Sequence, residues 1–266
     1  MSRLAQRFDQ LKSQQRKALV SYVMAGDPQP EVTVGLLHQM VDAGVDVLEL
    51  GLPFSDPMAD GPVIALAAER ALAGGTSTLH VLDMVKQFRE NDSETPVVLM
   101  GYLNPIEVIG YENFVSQAQQ SGVDGILLVD LPPEEAYEFN QILKQHGLDQ
   151  IFLLAPTSKD ERVAHVVKQA SGFIYYVSLK GVTGAATLDV DAAAQRIAYI
   201  QQQTDIPVGV GFGIHDAASA KAMGAVADAV IVGSVLVKPF ATLSIEQATL
   251  QTINKVKELR AALDEQ

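Results

Sequence analysis

The 266-residue chain contains no cysteine, which excludes disulfides, thiolate nucleophiles, zinc–thiolate sites and iron–sulfur clusters. Basic residues are few: 19 Lys and Arg stand against 32 Asp and Glu, a formal charge of −13, so no nucleic-acid partner is expected. Met1 to Lys17 holds no continuous apolar stretch. Neither a secretory signal nor a membrane anchor is expected there, and the cytoplasm is the default location. Without a signal, Asn91-Asp92-Ser93 reads as a polar loop rather than a glycosylation site. The sequence has no Gly-x-x-x-x-Gly-Lys-Ser/Thr segment, and its five histidines (His38, His80, His146, His165, His215) show no His-x-His or His-Glu-x-x-His spacing. A Walker-type nucleotide site and a metal site are therefore unsupported.

Apolar material is ample, at 48% hydrophobic and 19% charged residues. Eight short runs organise it: Ala18–Met24, Val45–Leu50, Val97–Met100, Gly125–Val129, Ile151–Leu154, Phe173–Val177, Val208–Val210 and Ala229–Val232. They are continuous rather than alternating, as strands covered on both faces of a parallel sheet must be. Helices are expected between them: Gln29–Ala43, Val63–Ala73, Thr78–Asn91, Glu107–Gln120, Pro133–His146, Lys159–Ala170, Leu188–Gln203, Asp216–Met223 and a tail from Ser244. In the tail Leu250, Ile253, Val256, Leu259, Ala262 and Leu263 form one apolar stripe. Asp27-Pro28, Pro132-Pro133-Glu134-Glu135 and Ser158-Lys159-Asp160-Glu161 carry helix-start chemistry. No linker or low-complexity segment interrupts the alternation. The expected architecture is α/β, a single (β/α)8 TIM barrel over residues 1–266 with an N-terminal helix and extra helical insertions; an open doubly wound sheet is the alternative.

Most strand starts lie 21 to 28 residues apart, but 52 separate the starts at 45 and 97, and 35 separate those at 173 and 208. Long insertions in compact domains tend to be lids or binding loops, and barrel chemistry sits on the loops after strand C-termini. Glu49 lies near the end of the second run, where a charge is costly unless paired or used. Asp60 ends the proline-rich loop Pro53-Phe54-Ser55-Asp56-Pro57-Met58-Ala59-Asp60-Gly61-Pro62. Two carboxylates in different surroundings can divide acid and base roles. The bland readings are a paired Glu49 that locks the strand end and an Asp60 or Asp56 that caps the following helix, with Pro62 in its first turn. Asp124 suits a helix–strand turn, and Asp130 could cap or fasten the rim.

Gly181-Val182-Thr183-Gly184-Ala185, Gly209-Val210-Gly211-Phe212-Gly213 and Gly233-Ser234 follow or end strands six, seven and eight. In a barrel these segments converge into a phosphate cradle of backbone N–H groups, with a short helix beginning near Ser234. Tyr22, Met100, Tyr102, Leu127, Tyr175 and Phe212 are placed to line a flat-ligand pocket, or equally to fill the upper core. Lys180 at the end of strand six raises a rival route through a Schiff base, and a mobile solvent-facing loop explains it equally well.

The run from Leu48 through Glu49 and Asp60 to Pro62 resembles the tryptophan synthase alpha chain family, as do Met100-Gly101-Tyr102-Leu103-Asn104-Pro105, Asp130-Leu131-Pro132-Pro133-Glu134-Glu135, Gly181-Val182-Thr183-Gly184-Ala185 and Val210-Gly211-Phe212-Gly213-Ile214. The matches span nearly the full chain in family order. The resemblance implies retro-aldol cleavage of indole-3-glycerol phosphate to indole and glyceraldehyde 3-phosphate, a carbon–carbon lyase activity with no cofactor in this chain. It implies that Glu49 shuttles the proton at indole C3 and the glycerol hydroxyl, that Asp60 faces the indole N–H, and that Tyr175 supports and orients. By the same resemblance Tyr22, Met100, Tyr102, Leu127, Thr183 and Phe212 line the substrate pocket, and Gly184, Gly213, Gly233 and Ser234 surround the phosphate. A beta chain carrying pyridoxal phosphate is the implied partner, in an alpha2-beta2 heterotetramer, with contacts at Pro53, Asp56, Pro57, Asn104, Pro105, Asp130 and Pro132. Two features depart from the family pattern. Leu179-Lys180 follows Ser178 where many members show Ser-Arg, so loop closure is expected to use other contacts, and Tyr22 stands where Phe is common, adding a hydroxyl that needs a partner.

An alternative enzyme reading is another phosphorylated-sugar lyase or isomerase working through Lys180. A non-enzyme alternative is a scaffolding subunit that binds ligand and only activates a partner.

Overall fold

Each of the eight apolar runs forms a strand, and each strand is followed by helical cover. The computed structural model describes residues 2–177, 190–211 and 213–265. In chain order α1 (Arg3–Ser13) precedes β1 (Ala18–Met24), α2 (Pro30–Asp42) and β2 (Val47–Gly51). Two helices, α3 (Pro62–Ala73) and α4 (Thr78–Arg89), lead to β3 (Val97–Gly101), and two more, α5 (Leu103–Ile109) and α6 (Tyr111–Ser121), lead to β4 (Gly125–Leu128). Single helices then alternate with strands: α7 (Tyr137–Gln145), β5 (Asp149–Leu154), α8 (Asp160–Gln169), β6 (Ile174–Val177), α9 (Val190–Gln201), β7 (Val208–Gly211), α10 (Ala217–Gly224) and β8 (Ala229–Val232). A short α11 (Ser234–Val237) and a long α12 (Ile245–Asp264) finish the chain.

Among the described residues the strands pair in parallel, in sequence order, and close into a barrel, with β8 returning to β1 through Ala18 opposite Ala229 and Ser21 opposite Val232. This is the expected TIM barrel, and closure removes the open-sheet alternative. All seven residues of β1 are buried because both its faces are covered. Leu19 and Val23 pack in the layer between strands and outer helices, while Val20 meets Val47, Val98, Leu127, Ile151 and Ile231 inside the barrel. Leu4, Phe8 and Leu11 of α1 join that interior cluster, so the N-terminal helix plugs the end of the barrel where the strands begin. Buried ion pairs hold the same end. Asp124 accepts from Arg3 at 2.8 Å and Arg89 at 2.7 Å, and Asp46 accepts from Arg260 at 2.9 Å.

The long insertion after β2 holds α3 and α4. Ala67, Ala68 and Ala71 of α3 pack against Tyr22, Met24 and Val237, which sets the helix beside the opposite, strand-ending mouth. Four expectations need correction. The helix expected over Glu107–Gln120 is two helices, α5 and α6, because Gly110 adopts φ +86°, a conformation that breaks helical continuity. The helix expected from Pro133 begins at Tyr137, since Pro132 to Glu135 close a turn through Glu135 N–H to the Pro132 carbonyl at 3.0 Å. Leu250 is 62% exposed, on the outer side of α12 rather than in its buried stripe. Asp27 does not serve α2: Gln29 is the N-cap residue, and Asp27 is held instead by Arg70 of α3 at 2.7 Å.

Candidate active site

Glu49 projects into the barrel from β2, directly opposite Tyr22 of β1 and Val98 of β3. It is 1% exposed, and its Oε1 has no hydrogen-bond partner among the described residues. A buried carboxylate without a partner favours its neutral form. Burial first, and the nearby charge of Asp60 second, push the Glu49 carboxyl up to about 8. The reading of Glu49 as a paired strand lock is therefore not what the structure holds.

The loop between β2 and α3 folds back on itself: Met58 N–H donates to the Asp56 carbonyl at 2.8 Å, and Asp60 N–H donates to the Pro57 carbonyl at 3.0 Å. Tyr102, just beyond β3, ties this loop to the barrel. Its hydroxyl accepts the Ala59 N–H at 3.0 Å, and its ring lies 5.4 Å from that of Phe54. The same hydroxyl lies near Asp60 and favours its charged form. Gly61 is the N-cap residue of α3 and makes no side-chain cap, so neither Asp60 nor Asp56 caps the helix. The half-buried Asp60 carboxyl is pushed up to about 6 by desolvation, with the Tyr102 hydroxyl pulling the other way. Two acids of one mouth thus differ, Glu49 at about 8 and Asp60 at about 6.

Two tyrosines lie close to Glu49, each beside a glycine. The Tyr22 hydroxyl occupies the space a Cβ at Gly51 would need, and the Tyr175 hydroxyl does the same at Gly211. Burial, and then the carboxylates nearby, raise both phenols well above their ordinary value, so they remain donors. Met100 is half-buried at the rim of β3, whereas Leu127 is fully buried with Val98, Ile151 and Phe173 and forms the floor beneath the mouth. Thr183, Gly184 and Phe212, and Lys180 with the Leu179–Asp189 loop, lie outside the described residues.

Gly213 is exposed with φ +77°, and Gly233 precedes Ser234, the first residue of α11, whose leading N–H groups have no partner within the helix. These positions suit an anion. Among the described residues no group of three or more His, Asp and Glu is arranged to hold a metal. Around the rim Asp56, Asn104 and Asp130 are exposed, Pro57, Pro105 and Pro132 are partly so, and Pro53 is buried. Asp130 also fastens the rim by accepting the Leu103 N–H at 2.8 Å. Asp124 lies at the far end among arginines and takes no part in the site.

A family model described as tryptophan synthase alpha chain matches residues 8–265. The chain belongs to the tryptophan synthase alpha chain family. Tryptophan synthase alpha chains of Acinetobacter baylyi and of Acinetobacter baumannii strain AYE are 81% and 78% identical over 265 residues, covering 100% of this chain and 99% of each relative. Among solved structures, the tryptophan synthase alpha subunit of Legionella pneumophila strain Paris superimposes with a TM-score of 0.91 at 42% identity, with both chains covered completely. A chain of tryptophan synthase from M. tuberculosis in its aminoacrylate-bound form gives 0.88 at 34% identity, covering 99% of this chain and 100% of that one. Membership in this family makes the chain an enzyme subunit of tryptophan biosynthesis.

Proposed function

We propose that the chain is a carbon–carbon lyase that cleaves indole-3-glycerol phosphate to indole and glyceraldehyde 3-phosphate. The observation that carries this reading is the pair of carboxyls at one barrel mouth, Glu49 buried on β2 with Oε1 unpartnered among the described residues and Asp60 half-buried on the loop that follows, surroundings that push them up to about 8 and about 6. Near neutral pH Glu49 holds a proton and Asp60 has lost one, which is the distribution the retro-aldol step needs. Protonation of indole C3 by Glu49 leaves positive charge on the ring nitrogen, which the Asp60 carboxylate stabilises through the N–H. The Glu49 carboxylate then takes the proton of the adjacent glycerol hydroxyl. The C3–C1′ bond breaks, its electron pair restores the indole ring, and the hydroxyl carbon becomes the aldehyde. Glu49 ends as it began, protonated, so one residue serves both transfers.

Tyr175 orients the reacting end from β6, and Tyr22, Met100, Tyr102, Leu127, Thr183 and Phe212 form the aromatic pocket in this reading. The phosphate is assigned to Gly184, Gly213, Gly233 and Ser234, where backbone N–H groups favour an anion.

The partner is a beta chain, which would carry the pyridoxal phosphate, in an alpha2-beta2 assembly. The support is a rim on which Asp56, Asn104 and Asp130 are joined by exposed apolar side chains, Met58 at 83%, Val108 at 82% and Tyr137 at 70%. Among the described residues no helix is long and apolar enough to cross a membrane, and we place the subunit in the cytoplasm. The test is direct product analysis of the full chain with indole-3-glycerol phosphate, with and without a compatible beta subunit. Indole should appear in both and faster with the partner; a folded protein releasing none in either case overturns the proposal.

A further inference from the structure

Two complementary groups inside the barrel mouth each lack a strong partner. Among the described residues Glu49 Oε1 accepts nothing, and the Tyr22 hydroxyl, on a residue 6% exposed, has the Met24 sulfur at 3.9 Å as its one hydrogen-bond partner. Sulfur is a weak acceptor, and a buried polar group without a partner is costly. The two groups are also neighbours. Tyr22 stands opposite Glu49 in the β1–β2 register, and its hydroxyl lies over Gly51, the next residue of β2 to face the same way. One oxygen between them, a water in the free protein or a substrate hydroxyl in the complex, satisfies both.

We propose that Tyr22 is a positioning residue for Glu49, its phenol donating through one bridging oxygen to the Glu49 carboxylate and so setting the pH at which that carboxyl ionises. The phenol stays protonated because burial raises it well above its ordinary value. The other titratable groups facing this pair are Asp60 from the loop after β2, Tyr102 beyond β3, Tyr175 from β6, and Asp27 at the end of β1, which Arg70 neutralises. Of these, the Asp60 charge opposes ionisation of Glu49, so Tyr22 acts against it. A phenylalanine at position 22 keeps the ring and loses only the donor.

The kinetic consequence rests on the proposed lyase function, whereas the ionisation of Glu49 does not. The experiment therefore follows the carboxyl itself, by 13C NMR of full-length protein labelled at the glutamate side-chain carboxyl, with Glu49→Gln identifying the resonance. Tyr22→Phe should raise the Glu49 midpoint by roughly one to two pH units, the worth of one hydrogen bond to a charged group. The alkaline limb of kcat/KM for indole release should move up with it, while the unfolding midpoint stays in place. A Glu49 midpoint that is unchanged or lowered overturns the inference, whatever the activity does. If the parent protein released no indole, the lyase reading would fall and the carboxyl titration would still decide this one.

Discussion

The hydroxyl of Tyr102 accepts the Ala59 N–H at 3.0 Å and lies near enough to Asp60 to favour its charged form, so one side chain from the end of β3 both pins the loop after β2 and tunes its acid. Removing that hydroxyl by Tyr102→Phe takes away a group that lowers the Asp60 pKa, and the acid should titrate higher. The expected result is a loss of about tenfold in kcat/KM, about 1.4 kcal/mol, with the acid limb of the pH profile displaced upward. Steady-state indole release across pH checks it; an unshifted acid limb would show that the contact only supports the backbone.

The divided carboxyls also fix the shape of the parent pH profile. Asp60 must be ionised, so activity should rise through about 6, and Glu49 must be protonated, so it should fall through about 8. A profile that keeps rising beyond pH 9 would contradict Glu49 as the starting acid.

Glu49 carries a stability signature as well. Its carboxyl is raised from 4.5 to about 8, so over that window the folded chain holds a proton that the unfolded chain has lost. The contribution is fully present below 4.5 and disappears as pH rises through about 8. Glu49→Gln is neutral throughout and escapes this loss. Urea unfolding should therefore find the variant and parent similar near pH 5, and the variant more stable near pH 8.5 by on the order of a few kcal/mol, while indole release falls by a factor of roughly 100 or more. A stability difference that does not grow with pH would mean that Glu49 is paired in solution.

Much of this was legible in the sequence, for reasons that individual residues make plain. Strands covered on both faces must be apolar throughout, and that is why runs such as Ala18–Met24 and Ala229–Val232 coincide with β1 and β8. Glu49 stood out because a charge within such a run needs a reason. Local signals fared worse where a single backbone choice decides the outcome: Gly110 breaks a pattern that is otherwise helical over Glu107–Gln120, and the Pro132–Glu135 turn carries the same residues as a helix start. Contacts between distant segments left no local trace. Tyr102 offered a hydroxyl, but nothing in its neighbours announces Ala59, which lies 43 positions away. Arg89, in the last turn of α4, binds Asp124 and three backbone carbonyls. Glycines at 51 and 211 read as strand ends, and their service as space for tyrosines appears only once neighbouring strands are in register.

That last relationship gives a test in which two substitutions must speak to each other. A Cβ at Gly51 would overlap the Tyr22 hydroxyl and ring edge, while Gly51 itself has an ordinary backbone conformation that alanine can adopt. Gly51→Ala should thus act by overpacking alone, costing about 1–3 kcal/mol of stability and lowering kcat/KM as Tyr22 is driven out of place. Shortening the obstructing side chain with Tyr22→Leu should restore most of the stability to Gly51→Ala without restoring activity, because the phenol that faces Glu49 is gone. Urea denaturation of the parent, both single variants and the double variant measures the coupling, expected to exceed about 1 kcal/mol for residues in direct contact. Additive effects would mean that β2 yields to the added methyl group and that Tyr22 is not confined against it.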